Sequence, residues 1–203
     1  MLNVILFDSD ARNHLLPLTA TRPMGELRIG VLTLREKWER RLKASVSYIT
    51  QEYLQEKFPM NIEDDNLIIH GGVMPNDALC QKIKALEANQ ALLFNGELIA
   101  ARLNEAQFEA LIEDEEVREL DGIDIDENIP LQFIERSWDL IRFNPKALTD
   151  DIAELTAGRE SHPLAESNRV IGEHPVFLEP GVSIECCIIN ATDGPVYLGK
   201  NAE

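Results

Sequence analysis

Short apolar runs separated by polar, helix-periodic stretches outline this chain. Residues 3–7 (NVILF) are a strand-length apolar run. A polar segment, residues 8–28, follows with Pro17 and Pro23; loops longer than about 12–15 residues are uncommon in compact domains and usually functional. Across residues 27–42, Ile29, Leu32, Leu34, Trp38 and Leu42 fall at spacings that predict an amphipathic helix. Residues 46–49 and 66–70 (NLIIH) predict further strands, the second closed by Gly71-Gly72. Asn76 or Asp77 is placed to cap a helix whose inward face carries Leu79, Ile83 and Leu86. In residues 91–101, Asn95-Gly96 between apolar runs predicts a hairpin with a type I′ turn. Helical patterns return at 105–120 and at 137–155, the latter interrupted at Pro145. Strands alternating with helices predict a layered α/β domain on a mostly parallel sheet over residues 1–155.

The periodicity fades over residues 156–175, read as a linker. Beyond it Leu178 and Ile184 stand six apart, and Leu198-Gly199 with Ala202 repeats the same phase of aliphatic and small residues. A six-residue period suits a triangular parallel β-helix, with one inward aliphatic per short strand and small residues at the corners. Residues 176–203 are therefore read as the start of such a solenoid. Because coils cannot bury their faces singly, further hexads are expected after Glu203.

Composition narrows the partners. Of 203 residues, 44% are hydrophobic and 27% charged, an ordinary globular balance. A formal charge of −17 opposes nucleic-acid binding, which depends on Lys and Arg displacing counterions from phosphates. Acidic runs at 113–116 and 121–127 read as solvated faces and loops. No apolar run approaches the roughly 18 residues of a membrane span, and no basic stretch precedes an apolar leader. A soluble protein of the cytoplasm is expected. Cys80, Cys186 and Cys187 suggest no disulfide framework, and no Cys or His pair has metal-ligand spacing.

Within so acidic a chain, Arg12, Arg22, Arg28, Arg35 and Lys37 cluster in or beside one polar loop. Arg22 and Arg28 are candidates to grip a phosphate bidentately. The competing reading is local ion pairing to Glu26, Glu36 and Glu39, preferred for Arg35 and Lys37. Trp138 is either a base-stacking surface or, the preferred reading, a core side chain. His70, at a strand end facing the loop, is either a ligand contact or a structural histidine.

The first strand, the loop with Arg12 and Pro17-Leu18-Thr19, and the C-terminal hexads together resemble the sugar-1-phosphate nucleotidyltransferases. More narrowly, LLPLTATRPMGELRIGVLTLREKWE is similar to a divergent subgroup related to the bifunctional UDP-N-acetylglucosamine pyrophosphorylase/glucosamine-1-phosphate acetyltransferase. Members of that subgroup are often named for glucose-1-phosphate thymidylyl transfer; residues 137–141 and 190–197 share the likeness. The resemblance implies a Rossmann-like nucleotidyltransferase domain followed by the first coil of a left-handed parallel β-helix. It also implies attack of a sugar 1-phosphate on a nucleoside triphosphate, with release of pyrophosphate. Such chemistry needs amides and cations around the phosphates and a carboxylate holding Mg²⁺. In the family these come from a Gly-rich loop, an Arg, a Lys after Pro, and an Asp at the end of a central strand. Arg12 stands at the catalytic arginine position, and Arg22, Arg28, Thr19 and His70 are candidate substrate or phosphate contacts. Here the Gly-rich loop reads Phe7-Asp8-Ser9-Asp10-Ala11, the Pro-Lys position reads Pro23-Met24, and the strand-end Gly-Asp reads Gly71-Gly72. Asp8 or Asp10 would have to carry the metal.

Three functions are consistent with these features. The first is a sugar-1-phosphate nucleotidyltransferase whose full-length form is also a hexapeptide acyltransferase. The second is a catalytically degenerate domain that binds a sugar nucleotide or regulates an attached β-helix acyltransferase; Met24 and Gly72 favour it over the first. The third is a purely structural domain. The expected partner is a small nucleotide or sugar phosphate, and the resemblance implies that the full-length protein trimerises through its β-helix.

Overall fold

A computed structural model describes residues 3–112, 120–126 and 128–203, side chains of 109–112 excepted. The chain forms two compact units, Met1–Phe143 and Asn144–Glu203. In the first, β1 (Asn3–Phe7) leads through the four-residue α1 (Ala11–His14) and a 3₁₀ turn at Met24–Glu26 to β2 (Arg28–Ile29) and β3 (Leu32–Thr33). Next come α2 (Leu34–Leu42), β4 (Val46–Ile49), β5 (Asp65–His70) and α3 (Asp77–Lys84). The unit continues with β6 (Gln90–Phe94), β7 (Glu97–Asn104), α4 (Glu105–Ile112) and β8 (Asp121–Asp124). α5 (Ser137–Thr156) follows, then four short strands: β9 (Arg169–Ile171), β10 (Val176–Leu178), β11 (Ile188–Asn190) and β12 (Val196–Leu198).

The central sheet has the described order β4-β1-β5-β7-β6-β8, with β7 antiparallel to its neighbours and the other pairings parallel. It is the parallel-dominated α/β sheet that the alternating pattern predicts. β1 is buried on both faces: Val4 and Leu6 join the cluster with Trp38, Leu67 and Ile69, while Ile5 faces Ile68, Ala101 and Phe108. That double burial is why the strand reads as an unbroken apolar run. Asn95 and Gly96 adopt φ 52° and 82°, as a type I′ turn requires, and link β6 to β7. Asn76 caps α3, accepting the Leu79 N–H at 2.9 Å.

Several elements depart from the sequence reading. The helix expected over 27–42 begins only at Leu34; residues 28–33 form a small hairpin around Gly30 at φ 75°. A reciprocal capping box between Thr33 and Glu36 fixes the later start. Only Glu105–Ile112 of the helix expected at 105–120 is described, and the acidic run 113–116 lies outside the described residues. Residues 121–124 form an exposed strand beside β6 rather than a loop. α5 runs through Pro145 uninterrupted, because proline removes one hydrogen bond and Ile141, whose carbonyl loses it, is exposed.

In the second unit, β9 pairs in parallel with β11 and β10 with β12, Val176 lying opposite Val196 and Arg169 opposite Ile188. β9 falls within the stretch read as linker. Glu179 is held there by both terminal nitrogens of Arg159, at 2.7 and 2.6 Å, and by the Tyr197 hydroxyl at 2.5 Å. No helix among the described residues is long and apolar enough to cross a membrane. Cys80 is buried, Cys186 and Cys187 are exposed, and none of the three forms a disulfide among the described residues.

Candidate functional site

The loop after β1 is built around one buried carboxylate. Asp8 leaves the sheet edge with its N–H donated to the Ile49 carbonyl at 2.9 Å. Its Oδ1 accepts the Met24 N–H at 2.7 Å; its Oδ2 accepts the Thr50 hydroxyl at 2.6 Å and Arg12 Nη1 at 3.4 Å. Burial lifts the Asp8 pKa above its ordinary value, and these donors only partly offset that. Arg12 is 4% exposed. Its Nη2 donates to the Thr19 carbonyl at 2.6 Å and to the Tyr53 hydroxyl at 2.7 Å, and its Nη1 reaches the Arg22 carbonyl at 3.4 Å. Thr19 returns the contact, donating its hydroxyl to the Arg12 carbonyl at 2.8 Å. Asp8, Arg12 and Thr19, candidates for metal, catalysis and substrate, are thus the skeleton of the loop. Their polar atoms are turned onto the protein itself.

Two hollows flank this skeleton. A cleft of about 410 Å³ opens at the edge of the sheet where β1 and β5 end and β7 begins. Ligands in open α/β folds enter at that carboxyl edge. Its walls are Phe7, Ser9, Asp10, Ala11 and His14 from the β1–α1 segment, His70 from β5, Glu97 and Leu98 from β7, and Glu135 with Arg136. The charged lining is three carboxylates against one guanidinium, the histidines aside. His70 is 5% exposed and packs edge-on between Phe7 and Phe133, at ring distances of 5.3 and 5.8 Å. Its Nδ1 accepts the Gly72 N–H at 3.1 Å. Burial pushes its pKa down to about 4, so the ring is neutral at physiological pH. His70 is therefore at once an anchored side chain and a wall of the cleft. The second hollow, about 260 Å³, is lined by Thr21, Arg22, Glu26, Lys57 and Phe58.

The remaining candidates disperse. Arg28 is exposed and tied to its own hairpin, donating to the Val31 carbonyl and standing 3.8 Å from Glu36. Arg35 pairs with Glu26 at 2.8 Å and Glu39 at 2.7 Å, as expected. Lys37 is buried on α2. Trp138 is 63% exposed rather than packed in a core, with the Arg136 guanidinium 6.0 Å from its ring centre. Ser9, His14, Glu97, Glu135, Arg136 and Lys57 were not among the sequence candidates. Glu97 was within reach: it follows the Asn95-Gly96 turn, and an antiparallel β7 must start where its parallel neighbours end.

Just past the end of β5 the packing is tight. Met24 is fully buried, and a Cβ built on Gly72 would lie 2.6 Å from its methyl carbon and 2.9 Å from the Ile134 carbonyl oxygen. Gly71 is equally confined, its Cβ position lying 2.9 Å from the Phe7 carbonyl oxygen.

The sugar nucleotidyl transferase family profile matches residues 4–160. The chain belongs to that family. Among solved structures it is similar to a Bacillus anthracis protein provisionally named a glucose-1-phosphate thymidylyltransferase, solved with a sucrose. That match has 13% identity and a TM-score of 0.46 over 73% of this chain and 96% of the other. A mannose-1-phosphate geranyltransferase from Thermus thermophilus aligns with 13% identity and a TM-score of 0.34 over 99% of this chain and 90% of the other. No curated protein matches the sequence.

Met24 and Gly72, the two positions singled out by the sequence resemblance, abut in the fold. The methionine side chain lies where a side chain on residue 72 would begin. A divalent cation does not fit the residues present. Asp8 already accepts three protein donors, Asp10 stands on the cleft wall, and no three His, Cys, Asp or Glu are grouped to hold a metal among the described residues.

Proposed function

We propose that this domain is a sugar-nucleotidyl-transferase fold retained for binding, in which the sugar or the sugar end of a sugar nucleotide occupies the cleft and no nucleotidyl transfer occurs. The observation that supports this reading is the packing of Met24 against the Cβ position of Gly72, the two positions where the resemblance implies a lysine and an aspartate. The cleft's chemistry supports the ligand class. Asp10, Glu97 and Glu135 suit hydroxyl donors and repel a triphosphate, while Phe7 and Leu98 offer apolar contact to a sugar ring. A second reading, an active sugar-1-phosphate nucleotidyltransferase using Mg²⁺, is favoured by the family match across residues 4–160.

For the second unit we propose the first coil of a left-handed parallel β-helix. Parallel partners roughly twenty residues apart, with no helix between them, support it. Acyl transfer and trimer formation by a longer chain, in a cytoplasmic setting, belong to the same proposal.

The test combines turnover with binding. The protein is incubated with a sugar 1-phosphate, each nucleoside triphosphate and Mg²⁺, and pyrophosphate is measured. It is then titrated with free sugars and UDP-sugars while its thermal unfolding is followed. The expected result is no pyrophosphate, with a rise in Tm from a sugar or UDP-sugar that Glu97→Ala abolishes. Pyrophosphate release dependent on both substrates would overturn the reading in favour of the enzyme. Absence of any ligand response would overturn both.

A further inference from the structure

The smaller hollow shares no lining residue with the cleft and carries the opposite chemistry. In a chain with 36 acidic and 19 basic residues, its lining includes Arg22, Lys57 and Thr21, all exposed. Among the described residues neither Arg22 nor Lys57 is in an ion pair, whereas Arg12, Arg28, Arg35 and Arg102 each have carboxylate partners. The one acid in the lining is already engaged. Glu26 accepts Arg35 Nε at 2.8 Å and the Tyr48 hydroxyl, and neither Arg22 nor Lys57 is among its partners.

Hydrogen bonds fix the backbone from which these side chains rise. Asp8 fixes the Met24 N–H and Arg12 reaches the Arg22 carbonyl, while the Glu26 N–H donates to the Pro23 carbonyl at 3.1 Å. On the other side, Lys57 and Phe58 close a turn onto the Leu54 carbonyl at 3.1 and 2.9 Å. The Lys57 ammonium lies 5.3 Å from the Phe58 ring centre, and that ring rests edge-on against Tyr48 at 5.7 Å. With the ammonium over its face, Phe58 offers a floor rather than a free stacking surface, so the site suits a compact anion and not a planar base.

We propose that Thr21, Arg22 and Lys57 form an anion site for a compact phosphate group, either free phosphate or the head of a phosphate monoester. Arg22 supplies a planar pair of donors, Lys57 a point charge, and Thr21 a neutral donor. The strongly negative protein repels anions elsewhere, which keeps non-specific phosphate binding low and makes a local response readable.

The test uses orthophosphate and glycerol phosphate, titrated at low ionic strength and followed by calorimetry and thermal unfolding. Charge-assisted hydrogen bonds are worth about 1.5–3 kcal/mol, so Arg22→Ala and Lys57→Ala are each expected to weaken binding roughly tenfold or more. Arg40→Ala, which removes an equal charge from an exposed position on α2, is expected to leave binding unchanged. Equal affinity for the two probes would seat only the phosphate head, and tighter binding of the ester would seat its carbon tail against Phe58; both uphold the site. No response to either probe would overturn it, as would a response that Arg40→Ala weakens as much as the two site variants do. Arg22→Gln and Lys57→Gln replace the alanine variants if those unfold at lower temperature without ligand. Because the cleft is untouched, loss of phosphate binding leaves the sugar titration as an independent reading.

Discussion

A methyl group added at position 72 has nowhere to go, because the Ile134 carbonyl 2.9 Å away belongs to backbone and cannot swing aside as Met24 can. Gly72→Ala is therefore expected to lower stability by about 1–3 kcal/mol, read from urea unfolding. Met24→Ala creates a cavity and is expected to cost about 2–5 kcal/mol. The double variant should lose less than the sum, because each change relieves the other, and an additive result would refute contact between the two positions. Arg12 calls for a different test. Removing its guanidinium leaves Asp8 and the Thr19 carbonyl short of a donor, so Arg12→Ala is expected to cost about 3 kcal/mol. Arg12→Lys should recover little of that, since one ammonium cannot serve both the Thr19 carbonyl and Tyr53 hydroxyl held by Nη2 and the Asp8 carboxylate and Arg22 carbonyl held by Nη1. Full recovery by lysine would mean that charge alone matters there.

The start of α2 depends on Thr33, whose side chain accepts the Glu36 N–H while Glu36 accepts the Thr33 N–H at 2.7 Å. Thr33→Ala is expected to destabilise by about 1 kcal/mol in thermal unfolding, with little change if the cap is unimportant. The same cap shows how far the chain could be read in advance. Thr33-x-x-Glu36 is a capping-box spacing and Gly30 a turn residue, so the true helix start was written in the sequence but masked by the apolar spacing of Ile29 and Leu32. β1, β4 and the Asn95-Gly96 hairpin were legible because each depends on local pattern alone. The cleft was not, for its walls come from residues far apart in sequence that only the β5–β7 pairing brings together. Nor could the inward turn of Arg12 be read, since two of its acceptors are backbone carbonyls, which leave no trace in side-chain identity, and a third, Tyr53, is 41 residues away.

For the molecule as a whole, acid should act first through His70. Its pKa in the fold is about 4 against 6.5 when free, so the unfolded chain takes up a proton that the folded chain refuses. Stability from this group is complete above pH 6.5 and falls as pH drops toward 4, by roughly 3 kcal/mol across that window. Asp8, whose pKa is raised from 3.8, contributes a slope of opposite sign, so the comparison to make is with His70→Asn. Urea unfolding at pH 7 and pH 4.5 should show a smaller pH dependence in that variant; an unchanged dependence would assign the effect to other groups. The abutting Met24 and Gly72 also couple what either position can accept. An aspartate placed at 72 alone would drive its side chain into the methionine, and a lysine placed at 24 alone would bury an ammonium. Either single change damages the fold, so charge enters this pair only through a double change.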